Sequence, residues 1–143
     1  MNVAVGEIHG GTFRLPVRVY YEDTDAGGVV YYANYLKFLE RARTEWLRAV
    51  GWDQSALAGT ANLLFAVRAL ELDYLAPARL DDWLEVEARL ARTGRASLDF
   101  EQRVCRGNTE LCCGHVRVVC IDAMTFRPRA LPAELMEVFA GDH

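Results

Sequence analysis

The chain lacks the residues and motifs on which several common chemistries depend. It has only two serines, Ser55 and Ser97, and neither lies in a G-x-S-x-G sequence, which argues against a serine hydrolase. No G-x-G-x-x-G or Walker A sequence occurs, so neither kind of nucleotide-binding loop is predicted. The net charge is -4 and the sequence pI about 5.4, which argues against a nucleic acid partner. Lysine is also scarce, since Lys37 is the single lysine among 16 basic residues.

Long apolar runs are also missing. No segment approaches the roughly 18 apolar residues of a membrane-spanning helix. The first residues, "MNVAVGEIHGGTF", have neither the basic start nor the apolar core of a signal peptide. We therefore expect a soluble, cytoplasmic protein with no integral membrane segment.

The cysteines do not form a disulfide or zinc-binding pattern. All four lie between positions 105 and 120, inside two predicted strands, and we expect reduced, mostly buried thiols. A zinc site built from Cys112, Cys113 and His115 lacks a C-x-x-C pair and would need ligands from both faces of one strand, so no metal site is predicted. Cys113 and His115 share one strand face, which is compatible with a catalytic pair, although simple packing is the commoner reason for such a spacing.

The order of predicted elements indicates the fold class. With 143 residues, 52% of them hydrophobic, the chain is predicted to form one domain over residues 1–143. Apolar residues recur at helical spacing from about Ala33 to Val50, with Gly51 as a stop signal. The remaining predicted elements are strands at 14–22, 63–80, 83–93, 96–106 and 110–123, and short helices at 53–59 and 132–139.

One strand, one long helix and then a run of strands predict an α+β fold in which an antiparallel sheet wraps around a central helix. The length of the strands and the breadth of the apolar arc on the helix lead us to expect that a second copy buries the outer sheet surface or a sheet edge.

The segment between the first strand and the long helix reads "YYEDTDAGGVVYYANY". Its D-x-D-x-x-G beginning matches the start of a calcium-binding EF-hand loop when counted from Asp23. Position 5 of that loop is Gly27, however, and position 12, which needs a bidentate Glu, is Asn34. A calcium site is therefore not predicted.

Two interpretations of this segment remain open from the residue types alone. Gly27 and Gly28 let the backbone approach a ligand closely, and no Ser, Thr or Asp directly precedes Ala33, so free N–H groups at the helix start can hold an oxyanion. Alternatively, Asn34 or water caps the helix, and the two aspartates of "EDTD" are ordinary turn formers.

The segment "RVYYEDTDAGGVVYYANYLKFLERARTEWLR" closely resembles the signature of the YbgC-type acyl-CoA thioesterases, in the 4-hydroxybenzoyl-CoA thioesterase class of the hotdog-fold superfamily. The likeness continues in "DYLAPARLDD", "RASLDFEQRV" and "FRPRALP", and so covers most of the chain. It implies a hotdog fold, dimers with a continuous sheet, and commonly a homotetramer of two dimers. It also implies hydrolysis of acyl-CoA without a metal or other cofactor, with acyl-carrier protein as an open alternative partner.

The resemblance also assigns roles to single positions. Asp25 matches the catalytic aspartate, acting either as nucleophile or as general base, whereas Asp23 matches a position that is not catalytic. The backbone N–H of Tyr32 matches the oxyanion donor, although many close members carry His at this position. Gly28 is expected to lie against the substrate.

The sequence "ARTGRAS" matches the turn that contacts coenzyme A in this family. Arg95 and Ser97 occupy the matching positions, with Arg92 as a weaker neighbour. A solvated surface role is the alternative for all three. Arginine suits phosphate because its planar guanidinium group donates two hydrogen bonds at once.

Rival functions differ in what they require. A hotdog dehydratase needs a catalytic His beside a helix acid, and no His lies near Glu40 in the sequence. A non-catalytic module that binds acyl-CoA or acyl-carrier protein does not need the Asp25 carboxylate. The leading hypothesis is a thioester hydrolase that uses Asp25.

Overall fold

The computed structural model describes residues 6–52 and 62–140, in which one long helix lies across a six-stranded antiparallel sheet. The strands follow the order β1-β2-β4-β5-β6-β3 across the sheet, and each neighbouring pair is antiparallel. The elements are β1 (Glu7–His9), β2 (Thr12–Arg18), a 3-10 turn (Tyr21–Asp23), α1 (Asn34–Ala49), β3 (Leu63–Tyr74), β4 (Trp83–Thr93), β5 (Ser97–Arg106), β6 (Thr109–Asp122) and α2 (Ala133–Ala140).

This architecture confirms the α+β prediction and four of the predicted elements closely: α1, β4, β5 and β6. The terminal helix is also present, with Pro132 directly before its first residue. Strand β1 was not predicted, and the predicted helix at 53–59 lies outside the described residues.

Two predicted strand ends are wrong. The strand expected over 14–22 ends at Arg18, because the Asp23 carboxylate accepts the backbone N–H of Tyr20 at 2.9 Å and the chain turns there. The strand expected over 63–80 ends at Tyr74, and the segment that follows makes a turn in which the N–H of Arg79 donates to the Asp82 carboxylate at 2.9 Å.

The core lies between α1 and one face of the sheet. Alternate residues of β2 point inward, and the buried face of α1 carries a continuous apolar stripe. Trp46, near the C-terminal end of α1, is stacked on Phe13 at 6.3 Å and lies edge-on to Phe100 at 5.8 Å and to Phe139 of α2 at 5.3 Å between ring centroids. Removal of this apolar surface from water is the main force that holds α1 on the sheet.

The opposite face of the sheet is polar and carries arginine–carboxylate pairs. Arg103 and Arg14 both reach Glu87, whose side chain is buried, at 2.8 Å and 3.4 Å. Arg117 donates to Asp99 in the same layer at 2.7 Å. This face therefore presents paired charges rather than a hydrophobic surface.

The cysteines are free, and three of the four are buried, which confirms the prediction. Cys112 faces the helix side beside Val104, whereas Cys113 and His115 face the polar side of the sheet. Within residues 6–52 and 62–140, no group of three metal-ligating side chains occurs, and no helix is long and apolar enough to cross a membrane.

Candidate active site

Asp25 lies in a tight hairpin that connects the 3-10 turn to α1. Thr24 and Val30 pair as an isolated antiparallel bridge, and the N–H of Asp25 donates to the carbonyl of Val29 at 2.8 Å. The turn closes where the N–H of Gly28 donates to the carbonyl of Asp25 at 3.0 Å. Gly28 has φ +79°, a left-handed conformation that glycine adopts without strain, so this position favours glycine.

The Asp25 carboxylate is exposed and is held by one backbone donor. Its Oδ1 accepts the N–H of Gly27 at 2.8 Å, and a Cβ at Gly27 would lie only 3.2 Å from that oxygen. Among the described residues, Oδ2 has no hydrogen-bond partner. Asp25 is thus a turn former, as the second interpretation of this segment predicts, and it also keeps one carboxylate oxygen open to a ligand.

Asp23 joins the hairpin to the helix start. Its Oδ2 accepts the backbone N–H of Tyr20 at 2.9 Å, and its Oδ1 accepts Nδ2 of the buried Asn34 at 2.8 Å. Its carbonyl accepts the N–H of Tyr31 at 3.0 Å. The Asn34 side chain therefore donates to Asp23 and does not cap the helix. The prediction that Asn34 is the helix cap is wrong.

No side chain among residues 6–52 and 62–140 caps the start of α1. The Ncap residue is Ala33, and the carbonyl of Tyr31 accepts the N–H of Asn34 at 2.8 Å. Across the part of the chain that the structure describes, the N–H of Tyr32 donates to no acceptor. Because a trans peptide holds its C=O and N–H antiparallel, this N–H points away from the helix, at the positive end of the helix dipole.

The hairpin and the helix start are both anchored on the segment before β4. The N–H of Val30 donates to the carbonyl of Ala78 at 2.8 Å, and Val29 bridges to Arg79. From the helix side, the hydroxyl of Tyr35 accepts the N–H of Ala78 at 3.1 Å. The hairpin that carries Asp25 and the N-terminus of α1 are therefore both hydrogen-bonded to one segment, Ala78 and Arg79, which holds the carboxylate and the Tyr32 N–H in the same region.

An aromatic cluster surrounds this support, and sequence reasoning did not identify its member on β3. The hydroxyl of Tyr74 donates to the carbonyl of Tyr32 at 3.0 Å. The rings of Tyr31 and Tyr32 lie 4.8 Å apart, and a side-chain hydrogen bond with Tyr32 raises the pKa of Tyr31. Tyr74 is separated from Tyr32 by 42 residues, so no local pattern could have paired them.

The residues matched to the coenzyme A turn lie elsewhere in the chain. Arg92 lies at a register shift of β4, opposite Asp99, while Arg95 and Ser97 belong to the turn that leads into β5. The carbonyl of Ser97 accepts the N–H of Gly94 at 2.8 Å. This turn follows the last residue of β4, whereas the Asp25 hairpin lies beside its first, and the 11 residues between correspond to about 33 Å of extended strand. Within one chain, the length of β4 therefore lies between this turn and the Asp25 hairpin.

The alternative pair of Cys113 and His115 does not have the character of an activated nucleophile. Burial and the neighbouring Glu110 carboxylate raise the pKa of the Cys113 thiol, which keeps it protonated. Burial raises the pKa of Cys112 to about 12. Both thiols are therefore protonated at neutral pH, whereas the thiolate is the nucleophilic form.

Comparison with known proteins places the chain in a family. The family model described as the thioesterase superfamily matches residues 27–113, more than half of the chain. The acyl-CoA thioester hydrolase YbgC of Escherichia coli is 50% identical over 128 residues, which cover 89% of this chain and 95% of that protein. The acyl-CoA thioesterase YbgC of Haemophilus influenzae is 47% identical over 127 residues, with 89% and 93% covered.

Solved structures agree with these sequence relatives. A probable thioesterase from Bartonella henselae superposes with a TM-score of 0.80 at 37% identity, covering 83% of this chain and 98% of that one. A 1,4-dihydroxy-2-naphthoyl-CoA thioesterase from Synechocystis gives a TM-score of 0.86 at 23% identity, covering 93% and 99%, and shows the shared fold. The chain therefore has the hotdog fold and belongs to the thioesterase superfamily, among its YbgC-type acyl-CoA thioesterases.

Proposed function

We propose that this protein hydrolyses acyl-CoA thioesters to a free acid and coenzyme A, with Asp25 as the catalytic carboxylate and the Tyr32 backbone N–H as the oxyanion donor. The observation that carries the proposal is the shared support described above. It holds an exposed carboxylate and an unpaired N–H at a helix start on one segment, Ala78 and Arg79. The relatives that are named acyl-CoA thioesterases support the choice of substrate class.

The reaction needs few groups because a thioester is already activated. Its carbonyl is electrophilic, and the C–S bond breaks readily, since a thiol has a much lower pKa than an alcohol or an amine. Asp25 acts in one of two ways. As a nucleophile, it forms an acyl-enzyme anhydride that water then cleaves, and as a general base, it takes a proton from the attacking water.

Both routes place negative charge on the thioester oxygen in the transition state. The Tyr32 N–H and the dipole of α1 would stabilise that charge, and loss of one such donor typically lowers kcat by about a hundredfold or more. The coenzyme A thiolate leaves and takes up a proton, and the hydroxyl of water becomes part of the acid product. The backbone role does not depend on the Tyr32 side chain, so it is compatible with Tyr at a position where many relatives carry His.

The separate positions of the proposed substrate-binding residues lead us to propose a homo-oligomer. Arg95 and Ser97, with Arg92 beside them, would contact the phosphates and pantetheine arm of coenzyme A, while Gly28 would allow close approach of the thioester. The length of β4 separates the two sets within one chain, so a second copy would supply the arginine turn.

The edge of the sheet suits such an assembly. Strand β3 is the last strand of the described sheet, and Val67 and Leu70 on it are 48% and 46% exposed. A long edge strand with exposed apolar residues favours pairing with another chain. We propose that residues 1–143 form one domain, which dimerises through the β3 edge and further assembles as a dimer of dimers. Light scattering that returned the mass of one chain would contradict this assembly.

The decisive experiment measures thiol release from short, long and aromatic acyl-CoAs by the full chain and by Asp25→Asn. We expect at least about a hundredfold loss of kcat/KM in the variant, because it removes a principal catalytic group. Glu22→Gln is the matched control, since Glu22 is an exposed neighbour that changes charge in the same way and should keep wild-type activity. Equal rates for the wild type and Asp25→Asn would refute the assignment. A wild type that bound acyl-CoA without hydrolysing it would favour a binding module.

A further inference from the structure

The Tyr32 carbonyl lies outside the hydrogen-bond ladder of α1. In a regular helix it would accept the N–H of Leu36, but that N–H donates to Ala33 instead, at 3.2 Å. The acceptor capacity of Tyr32 is used by the hydroxyl of Tyr74, at 3.0 Å. The orientation of the peptide between Tyr32 and Ala33 is therefore set by a residue of β3 and not by the helix.

The ring of Tyr74 is held in place by its neighbours. It meets Tyr32 edge-on with ring centroids 6.3 Å apart, and it meets Tyr35 at 5.5 Å. Tyr35 is 3% exposed and packs edge-on against Phe38 at 6.1 Å, so it forms a fixed wall behind Tyr74. Burial raises the pKa of the Tyr74 phenol, which keeps its hydroxyl protonated, and hence a donor, at neutral and mildly alkaline pH.

We propose that Tyr74 is a positioning residue for thioester hydrolysis, which acts by fixing the main chain of Tyr32. The inference rests on the proposed function, in which the Tyr32 N–H stabilises the oxyanion. The peptide on the N-terminal side of Tyr32 is held where Asn34 donates to Tyr31, and the peptide on its C-terminal side is held by Tyr74. With both peptide planes fixed, the dihedral angles of Tyr32 are fixed, and its N–H keeps one direction.

Removal of the Tyr74 hydroxyl changes this balance. The Tyr32 carbonyl then lacks its partner and is free to rotate toward the N–H of Leu36, its regular helical donor. That rotation changes ψ of Tyr32 and moves Asn34, whose N–H holds the Tyr31 carbonyl. The Tyr31–Tyr32 peptide then loses its support, and the Tyr32 N–H that belongs to it no longer keeps one direction. Because the effect of an oxyanion donor depends on its aim at the developing charge, transition-state stabilisation falls while substrate binding is retained.

The test compares Tyr74→Phe with the wild type, and uses Tyr21→Phe as the matched control. Tyr21 is 82% exposed, so the same loss of a hydroxyl there should change nothing. For Tyr74→Phe we expect kcat to fall about tenfold and KM to stay within about twofold, because the donor acts on the transition state. The amide proton resonance of Ala33 should shift upfield only in Tyr74→Phe, since that N–H belongs to the peptide whose carbonyl loses its hydrogen bond.

Several outcomes would overturn the inference. An unchanged kcat with an unchanged Ala33 resonance means that Tyr74 does not hold the peptide. A raised KM with an unchanged kcat means that Tyr74 contacts substrate instead. Asp25→Asn, measured in parallel, separates this inference from the proposed function. An inactive Asp25→Asn beside a fully active Tyr74→Phe removes only the role of Tyr74. A fully active Asp25→Asn refutes the role of Asp25, yet a kcat defect in Tyr74→Phe would still support positioning.

Discussion

Replacement of Asp23 by alanine should separate the role of this aspartate from the catalytic role that we propose for Asp25, the second aspartate of "EDTD". Asp23 accepts Nδ2 of Asn34 at 2.8 Å and the N–H of Tyr20 at 2.9 Å. Asn34 is only 7% exposed, so without Asp23 its amide loses a charged acceptor that water replaces poorly. A hydrogen bond of this kind contributes about 1.5–3 kcal/mol. The bond to Tyr20 is exposed and adds at most about 0.5 kcal/mol, because water takes its place.

The free energy of unfolding of Asp23→Ala should therefore fall by about 2–3 kcal/mol. Urea unfolding at one fixed chain concentration measures this, since an oligomer gains stability with concentration. We also expect kcat to fall about tenfold, because the hairpin that carries Asp25 loses its side-chain tie to the helix start. Asp25→Asn should show the reverse pattern, with activity lost and stability within about 0.5 kcal/mol of the wild type.

A double-mutant cycle with Asn34→Ala isolates the contact. If Asp23 acts through Asn34, the double variant should be more stable than the sum of the two single losses predicts, with a coupling energy of about 1–2 kcal/mol. Strictly additive losses, or a stability change in Asp23→Ala no larger than in the exposed control Glu22→Ala, would show that the Asp23–Asn34 hydrogen bond does not stabilise the protein.

Two further predictions concern the sheet. In Gly114→Ala the new Cβ would lie 1.9 Å from the carbonyl oxygen of Glu71 and 2.7 Å from Cδ2 of Leu72. Strands β3 and β6 must then separate locally, so the free energy of unfolding should fall by about 3 kcal/mol. Thermal unfolding at the wild-type temperature would contradict this prediction. In Asp99→Asn the side chain loses its ion pair with Arg117, which lowers the pKa of Asp99 in the folded state. Because the pKa of Asp99 is lower in the folded than in the unfolded state, the ionised carboxylate stabilises the folded protein at pH values above the ordinary carboxyl pKa. The difference in Tm between Asp99→Asn and the wild type should therefore be present at pH 7 and shrink below about pH 4. A difference independent of pH would exclude the ion pair as its cause.

Local sequence patterns predicted those helices and strands that bury one regular face. The helical spacing of apolar residues located α1 within a residue or two of its observed bounds, because one face of that helix is buried along its whole length. Alternation located β4, β5 and β6 for the same reason. The alternating pattern wrongly predicted that the strand continues through Tyr20 and Tyr21. The backbone turns there because the Asp23 carboxylate accepts the N–H of Tyr20.

In the candidate site, too, some features follow from the local sequence and others depend on contacts between distant residues. The local sequence is enough to place Asp25, Gly27, Gly28 and the start of the long helix close together, because they fall within sixteen consecutive residues and turn chemistry acts over a few positions. What holds them follows from the three-dimensional fold, in which Tyr74 donates to the Tyr32 carbonyl and Ala78 is hydrogen-bonded to both the hairpin and Tyr35 of the helix. The fold also puts the length of β4 between the Asp25 hairpin and the turn that contains Arg95. Hydrogen bonds between residues more than forty positions apart depend on how the sheet closes on α1, and no local pattern carries that information.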